Sequence, residues 1–249
     1  MENRLGIIDW GIGGVSIYKL IREQIGEVPV IYFSDTGVTP YGKMSRPELL
    51  SRLDLVIEFL KARDVTHILI GCNAASTAIP LLADHRVPVQ GVILPAVELT
   101  SKLKPAKLGL IGGRRTVVSG VYRRAFAAKK IAVHQRIAQP LSAAIESGDV
   151  SSADLRAKAK QIISPLKNCS HILLACTHYP AITPMLKTLV SPDTQLIDPA
   201  AELVRTVAGW NIAPGGKTEF LTSGNAEQMK TAAAKAFGVK IQTATTVKI

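Results

Sequence analysis

Two cysteines occupy matching places in the chain. Cys72 closes the run His67-Ile68-Leu69-Ile70-Gly71 and precedes Asn73-Ala74-Ala75-Ser76. Cys176 closes His171-Ile172-Leu173-Leu174-Ala175 and precedes Thr177-His178-Tyr179-Pro180. Each stretch is an apolar run, a small residue, a thiol, a polar cluster and then a helical pattern, and the two lie roughly 100 positions apart, about one mononucleotide-fold unit. A thiol with a reference pKa of about 8.5 serves as acid or as base near neutral pH. Two thiols facing one another across a cleft therefore have the chemistry to invert a stereocentre: one takes a proton from one face while the other delivers a proton to the opposite face. A nucleophilic Cys–His hydrolase built on Cys176 and His178 is the competing mechanism.

The candidate partners of these thiols follow from position. Asp9 ends the apolar run Leu5-Gly6-Ile7-Ile8. Adjacent parallel strands bring their carboxyl ends together, so Asp9 is expected beside Cys72. His178, two residues beyond Cys176, is the candidate for the second thiol. Asp9-Trp10-Gly11-Ile12-Gly13-Gly14 has the look of a phosphate-cradling turn, but Ser16 stands where a last glycine is needed and no Gly-Lys-Ser/Thr follows, so nucleotide binding is poorly supported. Thr116, after the turn Gly112-Gly113-Arg114-Arg115, reads either as an anion contact at a helix start or as a simple N-cap. By pattern alone Glu146 is a surface acid near a helix end, and Cys169, without polar company, is a structural thiol.

The elements that must position these groups alternate strand and helix. Strands are expected at 5–8, 28–33, 65–71, 87–93, 107–111, 131–133, 171–175, 195–198 and 217–222. Helices are expected from Val15, from Ser45 (capped by that serine, with Pro47 and Glu48 in the first turn), from Ser76 to about Asp84, from Pro95 to Lys104, at 117–128, 152–166, 182–190, 200–209 and 225–237. Residues 239–249 read as an edge strand or a frayed end. Short, wholly apolar strands separated by helices predict an α/β fold with mainly parallel, doubly wound sheets.

Composition narrows the class. The 249 residues are 47% apolar and 20% charged, a globular balance, and no run of about 18 apolar residues suggests a spanning helix. Met1-Glu2-Asn3-Arg4 leads directly into a strand without the apolar stretch of a signal peptide, which points to the cytoplasm. Three widely spaced cysteines suit neither a disulfide framework nor a zinc ribbon, so no metal site is expected. The net charge of +11 is dispersed apart from short pairs such as Arg123-Arg124 and Lys129-Lys130, and aromatics are only 5%. Stacking on bases gains little from this pattern, although the charge leaves nucleic acid open; it reads mainly as a solvated surface able to steer an anionic ligand.

Taken together, Gly6-Ile7-Ile8-Asp9-x-Gly11-x-Gly13-Gly14, Tyr32-Phe33-x-Asp35-Thr36 with Pro40-Tyr41-Gly42, Cys72-Asn73-x-Ala75-Ser76, Thr116-x-x-Ser119-Gly120-x-Tyr122, Cys176-Thr177-His178-Tyr179-Pro180 and Thr222-Ser223-Gly224 resemble the glutamate racemases of the cofactor-independent aspartate/glutamate racemase superfamily. The likeness spans nearly the whole chain. It implies two pseudo-symmetric α/β half-domains, 1–94 with 208–249 and 95–207, with the site in the cleft between them. It implies Cys72 as the base toward a D-amino acid and Cys176 toward the L-enantiomer, assisted by Asp9, His178 and Glu146, the last assigned only by this match. Contacts to an acidic amino acid or related carboxylate would come from Trp10, Asp35, Tyr41, Gly42, Asn73, Ala74, Thr116 and Thr177. No cofactor, D-glutamate for peptidoglycan and a homodimer are further implications. Three departures stand out: Trp10 replaces a small hydroxyl residue, Ala74 replaces a threonine, and Ala138-Gln139-Pro140-Leu141 replaces a Cys-Pro-Leu stretch. They leave open a different acid substrate, or a binding or regulatory homologue without activity.

Overall fold

The computed structural model describes residues 3–249. Its strands are β1 (Leu5–Asp9), β2 (Val30–Ser34), β3 (His67–Ile70), β4 (Val89–Gly91), β5 (Leu108–Gly112), β6 (Val133–Ile137), β7 (His171–Ala175), β8 (Gln195–Ile197), β9 (Glu219–Thr222) and β10 (Ala244–Thr246). Its helices are α1 (Val15–Gln24), α2 (Arg46–Lys61), α3 (Asn73–Ser76), α4 (Ile93–Lys102), α5 (Arg114–Val118), α6 (Val121–Ala128), α7 (Gln139–Glu146), α8 (Ala153–Ile163), α9 (Thr183–Lys187), α10 (Ala200–Gly209) and α11 (Ala226–Phe237).

Two sheets form, in the orders β10-β9-β2-β1-β3-β4 and β6-β5-β7-β8, and every strand pair is parallel. The apolar runs read from the sequence are the central strands: all five residues of β1, of β2 and of β5 are buried, as strands covered by helices on both faces must be. Within each half the first four strands follow the same order, second-first-third-fourth. The chain therefore reverses direction between the first and third strands in both halves, and at such a switch point the loops part and leave a crevice at the carboxyl ends. Asp9 and Cys72 leave β1 and β3 on the two sides of one switch point, and Gly113 and Cys176 leave β5 and β7 at the other.

Local chemistry explains several boundaries. Ser45 caps α2 with a full capping box: Glu48 N donates to Ser45 Oγ, and Ser45 N donates to Glu48 Oε2 at 2.7 Å. The single helix expected over 117–128 is two, because Gly120 adopts the left-handed conformation (φ +67°) that ends α5 and starts α6. The helix expected from Ser76 to Asp84 is instead the four-residue α3 and a short 3₁₀ turn at Ile79–Leu81, since Pro80 removes the N–H that a continuing helix needs. The segment 239–249 ends in β10, paired to β9 as an edge strand. Helix α10 buries Leu203, Val204 and Val207 in the same core as Ile17, Tyr18 and Ile21 of α1 and Ala96 and Val97 of α4, so the chain is back against the first half before residue 208. Among the described residues no helix is long and apolar enough to cross a membrane.

Candidate active site

A cavity of about 420 Å³ lies where the carboxyl ends of the two sheets face each other. Asp9, Trp10, Tyr41, Gly42, Asn73 and Ala74 reach it from the first half, with Cys72. Thr116, Glu146, Thr177 and His178 reach it from the second, with Cys176. The two thiols thus stand on walls supplied by different halves, each delivered by the third strand of its own sheet.

The acids tie the halves together at the cavity floor. Asp9, almost wholly buried, accepts from the backbone N–H of Trp10 (2.6 Å, Oδ1) and of Gly14 (2.6 Å, Oδ2), and from the Thr177 hydroxyl of the opposite half (3.1 Å, Oδ2). Glu146 reciprocates: its Oε2 accepts from the Ile12 N–H of the first half at 2.9 Å. Gly11 and Gly13 permit this approach, since a Cβ at Gly11 would fall 2.0 Å from Glu146 Oε2 and one at Gly13 would fall 2.3 Å from Thr177 Oγ1. From the sequence, Asp9 is expected beside Cys72 as the acid that tunes it. Its oxygens are committed to the loop and to Thr177, and it reaches the thiol through its charge. Burial pushes the Cys72 thiol well up, and the Asp9 charge pushes it further, while the N–H groups of Ala75 and Ala74 pull the other way. At rest Cys72 carries its proton.

The second thiol has a different setting. His178 Nδ1 lies 3.6 Å from Cys176 Sγ, and Nε2 donates to Glu146 Oε2 at 2.6 Å. Burial alone lowers the imidazole, but its hydrogen bonds to Cys176 and Glu146, and their negative charges, outweigh that and hold it well above its ordinary value. The folded protein therefore holds this proton more tightly than the unfolded chain. The resulting stabilisation is complete below about pH 6.5, the ordinary imidazole value, and is lost as pH rises through the raised folded value. We expect the melting-temperature difference between the parent and His178→Asn to shrink as pH is raised from 6 to 9. A difference constant over that range would mean that His178 is neutral in the fold.

Two further polar groups at the cavity lack partners. Tyr122 Oη donates to Asn73 Oδ1 at 2.7 Å, which leaves the buried Asn73 Nδ2 without an acceptor among the described residues. Thr116 Oγ1 is likewise buried and unpartnered. Buried polar atoms are seldom left so without a ligand or water to meet them. Trp10 lines the cavity, and its indole is fixed by donating from Nε1 to Val38 O at 3.1 Å.

Asp35 is not at the cavity. Fully buried, it accepts from Arg52 Nε (2.8 Å) and Nη2 (2.6 Å), from Tyr41 Oη (2.7 Å) and from Ser223 Oγ (2.7 Å). The sequence reading of Asp35 as a substrate contact gives way to a supporting role: it anchors the tyrosine that lines the wall. Conversely, Gln139 and Ser142 line the cavity, Gln139 marked in the sequence only as part of the Ala138-Gln139-Pro140-Leu141 departure and Ser142 not at all. Gln139 Oε1 accepts from Arg114 N and its Nε2 donates to Ser142 Oγ, both at 3.1 Å. Their signal was present: Gln139, Ser142 and Glu146 stand at i, i+3 and i+7 of α7, a polar stripe on one helix face.

Two parallel-sheet lobes that close on a small cavity, with one thiol from each lobe and a Glu–His pair behind the second, define an α/β isomerase of the racemase type. The chain belongs to the Asp/Glu/Hydantoin racemase family, whose sequence pattern matches residues 5–207. It is 32% identical over 211 residues to a glutamate racemase of Desulforudis audaxviator, covering 82% of this chain and 77% of that one. Its structure is similar to that of the glutamate racemase of Francisella tularensis solved in complex with D-glutamate, with a TM-score of 0.89, 26% identity and coverage of 99% and 98% of the two chains. The aspartate racemase of Picrophilus torridus shares the fold at a TM-score of 0.66 and 18% identity, covering 83% of this chain and 94% of that one.

Proposed function

We propose that this protein interconverts L- and D-glutamate by proton transfer at Cα, with Cys72 and Cys176 as the two bases and no redox step. The observation that carries the reading is that one thiol from each half lines the same cavity of about 420 Å³. The resting protonation states fit a two-base scheme. Cys72, held as a thiol, is poised to donate, and the His178 imidazole, held well above its ordinary value and 3.6 Å from Cys176 Sγ, is the cationic partner of the sulfur that accepts. Proton abstraction from L-glutamate by Cys176 and delivery by Cys72 to the other face yields the D-enantiomer, and the reverse transfer restores the start. Negative charge that develops on the substrate between the two steps would be stabilised by the His178 imidazole, which lines the same cavity and is held well above its ordinary value.

The unpartnered Asn73 Nδ2 and Thr116 Oγ1 supply a donor from each half for the substrate's polar head. The first half lacks hydroxyls at Trp10 and Ala74, whereas Gln139 and Ser142 place polar atoms on the second half's wall. The relatives named as glutamate racemases support glutamate as the substrate. The family resemblance then implies D-glutamate for peptidoglycan.

The test is α-proton exchange. The purified protein is incubated in deuterated water with L-glutamate, L-aspartate and neutral L-amino acids, and loss of the α-proton is followed by NMR. Exchange with glutamate far faster than with the others is the expected result. Preferred exchange with another acid would reassign the substrate to the pocket reshaped by Trp10, and no exchange with any would overturn the catalytic reading.

A further inference from the structure

The halves also meet at the mouth of the cavity, through one side chain. Arg115, on α5 of the second half, donates from Nη1 to the carbonyl of Met44 at 2.6 Å and from Nε to Thr77 Oγ1 at 3.3 Å, both on the first half. Met44 directly follows Tyr41, Gly42 and Lys43, which line the cavity. Thr77 ends α3, the turn that starts beside Cys72, and its hydroxyl donates back to Ala74 O at 2.7 Å. Thr116, the neighbour of Arg115, lines the cavity from the other half.

We propose that Arg115 is a positioning residue: a latch across the cleft mouth that holds the Pro40–Met44 loop and α3 against α5 and so sets the distance between the two cavity walls. Three observations support this. The guanidinium reaches two separate segments of the first half from a single residue of the second, which needs the divergent donors of arginine; a lysine offers a point charge that serves one of them. Arg115 has no carboxylate partner among the described residues, so its charge is spent on a carbonyl and a hydroxyl, contacts that position rather than neutralise. Finally, the other side-chain ties between the halves at this site, Thr177 to Asp9, Ile12 N–H to Glu146 and Tyr122 to Asn73, each end on a buried residue of the first half, whereas Arg115 is only half-buried. With these pinned, the mouth is where the walls can part. There α5 is a five-residue helix set off from α6 by the left-handed Gly120, an element small enough to move with the latch.

Two measurements on the whole protein test this, and only the first rests on the proposed glutamate reaction. In racemisation kinetics Arg115→Ala is expected to raise KM for glutamate about tenfold with a much smaller change in kcat, as loss of a charge-assisted hydrogen bond that preforms the site would. Arg115→Lys should recover part of the loss, and added guanidinium ion should restore Arg115→Ala toward the parent. In the second, iodoacetamide labelling of each cysteine is followed by mass spectrometry without substrate. Arg115→Ala is expected to speed labelling of Cys72 and Cys176 about fivefold and leave Cys169, buried in the second half's core, unchanged. Equal labelling of the variant and the parent would overturn the latch, as would a common rise at all three cysteines, which would mean general loosening. If Arg115→Ala does not fold, Thr77→Val, which removes one arm, is expected to shift the same two cysteines in the same sense, and an unchanged pattern there would overturn the proposal.

Discussion

Replacement of Cys176 by alanine is expected to lower interconversion of the glutamate enantiomers about 10³-fold or more. Slow solvent exchange should survive at Cα of D-glutamate alone. Cys72→Ala should give the complementary result, with exchange surviving only in L-glutamate. The reason is geometric. Each thiol addresses one face of the substrate, and removal of one leaves the other able to take a proton and return a solvent-derived one to the same face, which gives exchange without inversion. The side chains differ by one sulfur at sites that already carry mixed apolar and polar neighbours, so the fold should survive both changes. NMR in deuterated water reads exchange, and circular dichroism reads inversion. Racemisation by either variant at the parent rate, or survival of exchange in the same enantiomer for both, would rule out the two-base scheme.

Glu146→Gln should have the next largest effect, a fall in kcat/KM of about 10²-fold. The substitution keeps the shape but removes the charge that, with Cys176, holds His178 protonated, and it leaves His178 Nε2 and the Ile12 N–H at most a neutral carbonyl oxygen to share. The fall must be equal in both directions, because the enantiomers are isoenergetic and the equilibrium constant is one; unequal losses would indicate an assay artefact. Glu146 acts through His178, so the double variant with His178→Asn should be little worse than the worse single variant, as for residues that work as a unit. Full additivity would mean that the two residues act independently, and the Glu–His pair would then have no mechanistic meaning.

These expectations rest on features of very different visibility in the chain. The apolar runs that became β1, β2, β3, β5 and β7 are local, and a run buried on both faces needs no distant information to be read. The positions of Asp9, Cys72 and Cys176 follow with them, because a residue that ends a parallel strand has only one rim to occupy. Gly120, which splits the expected helix, and Pro80, which shortens another, were visible as residues. Their effect depended on a backbone geometry that the apolar pattern does not encode.

Glu146 marks the boundary most clearly. As a residue near the end of a short helix it is indistinguishable from any surface acid, and only its likeness to a known motif picked it out. Its chemistry comes from His178, 32 positions away, and from Ile12, 134 positions away. Asp35 shows the converse: it sits in a loop at the correct rim, yet Arg52, Tyr41 and Ser223 turn it inward and away from the cavity. Sequence alone therefore determined the parallel α/β framework and the two thiols at matching strand ends, since period and strand polarity are properties of neighbouring residues. The packing of one half on the other decided which acids face the cleft, how Asp9 and Glu146 cross to the opposite half and where Arg115 closes the mouth. Contacts between residues 38 to 168 positions apart leave no periodic trace in the chain.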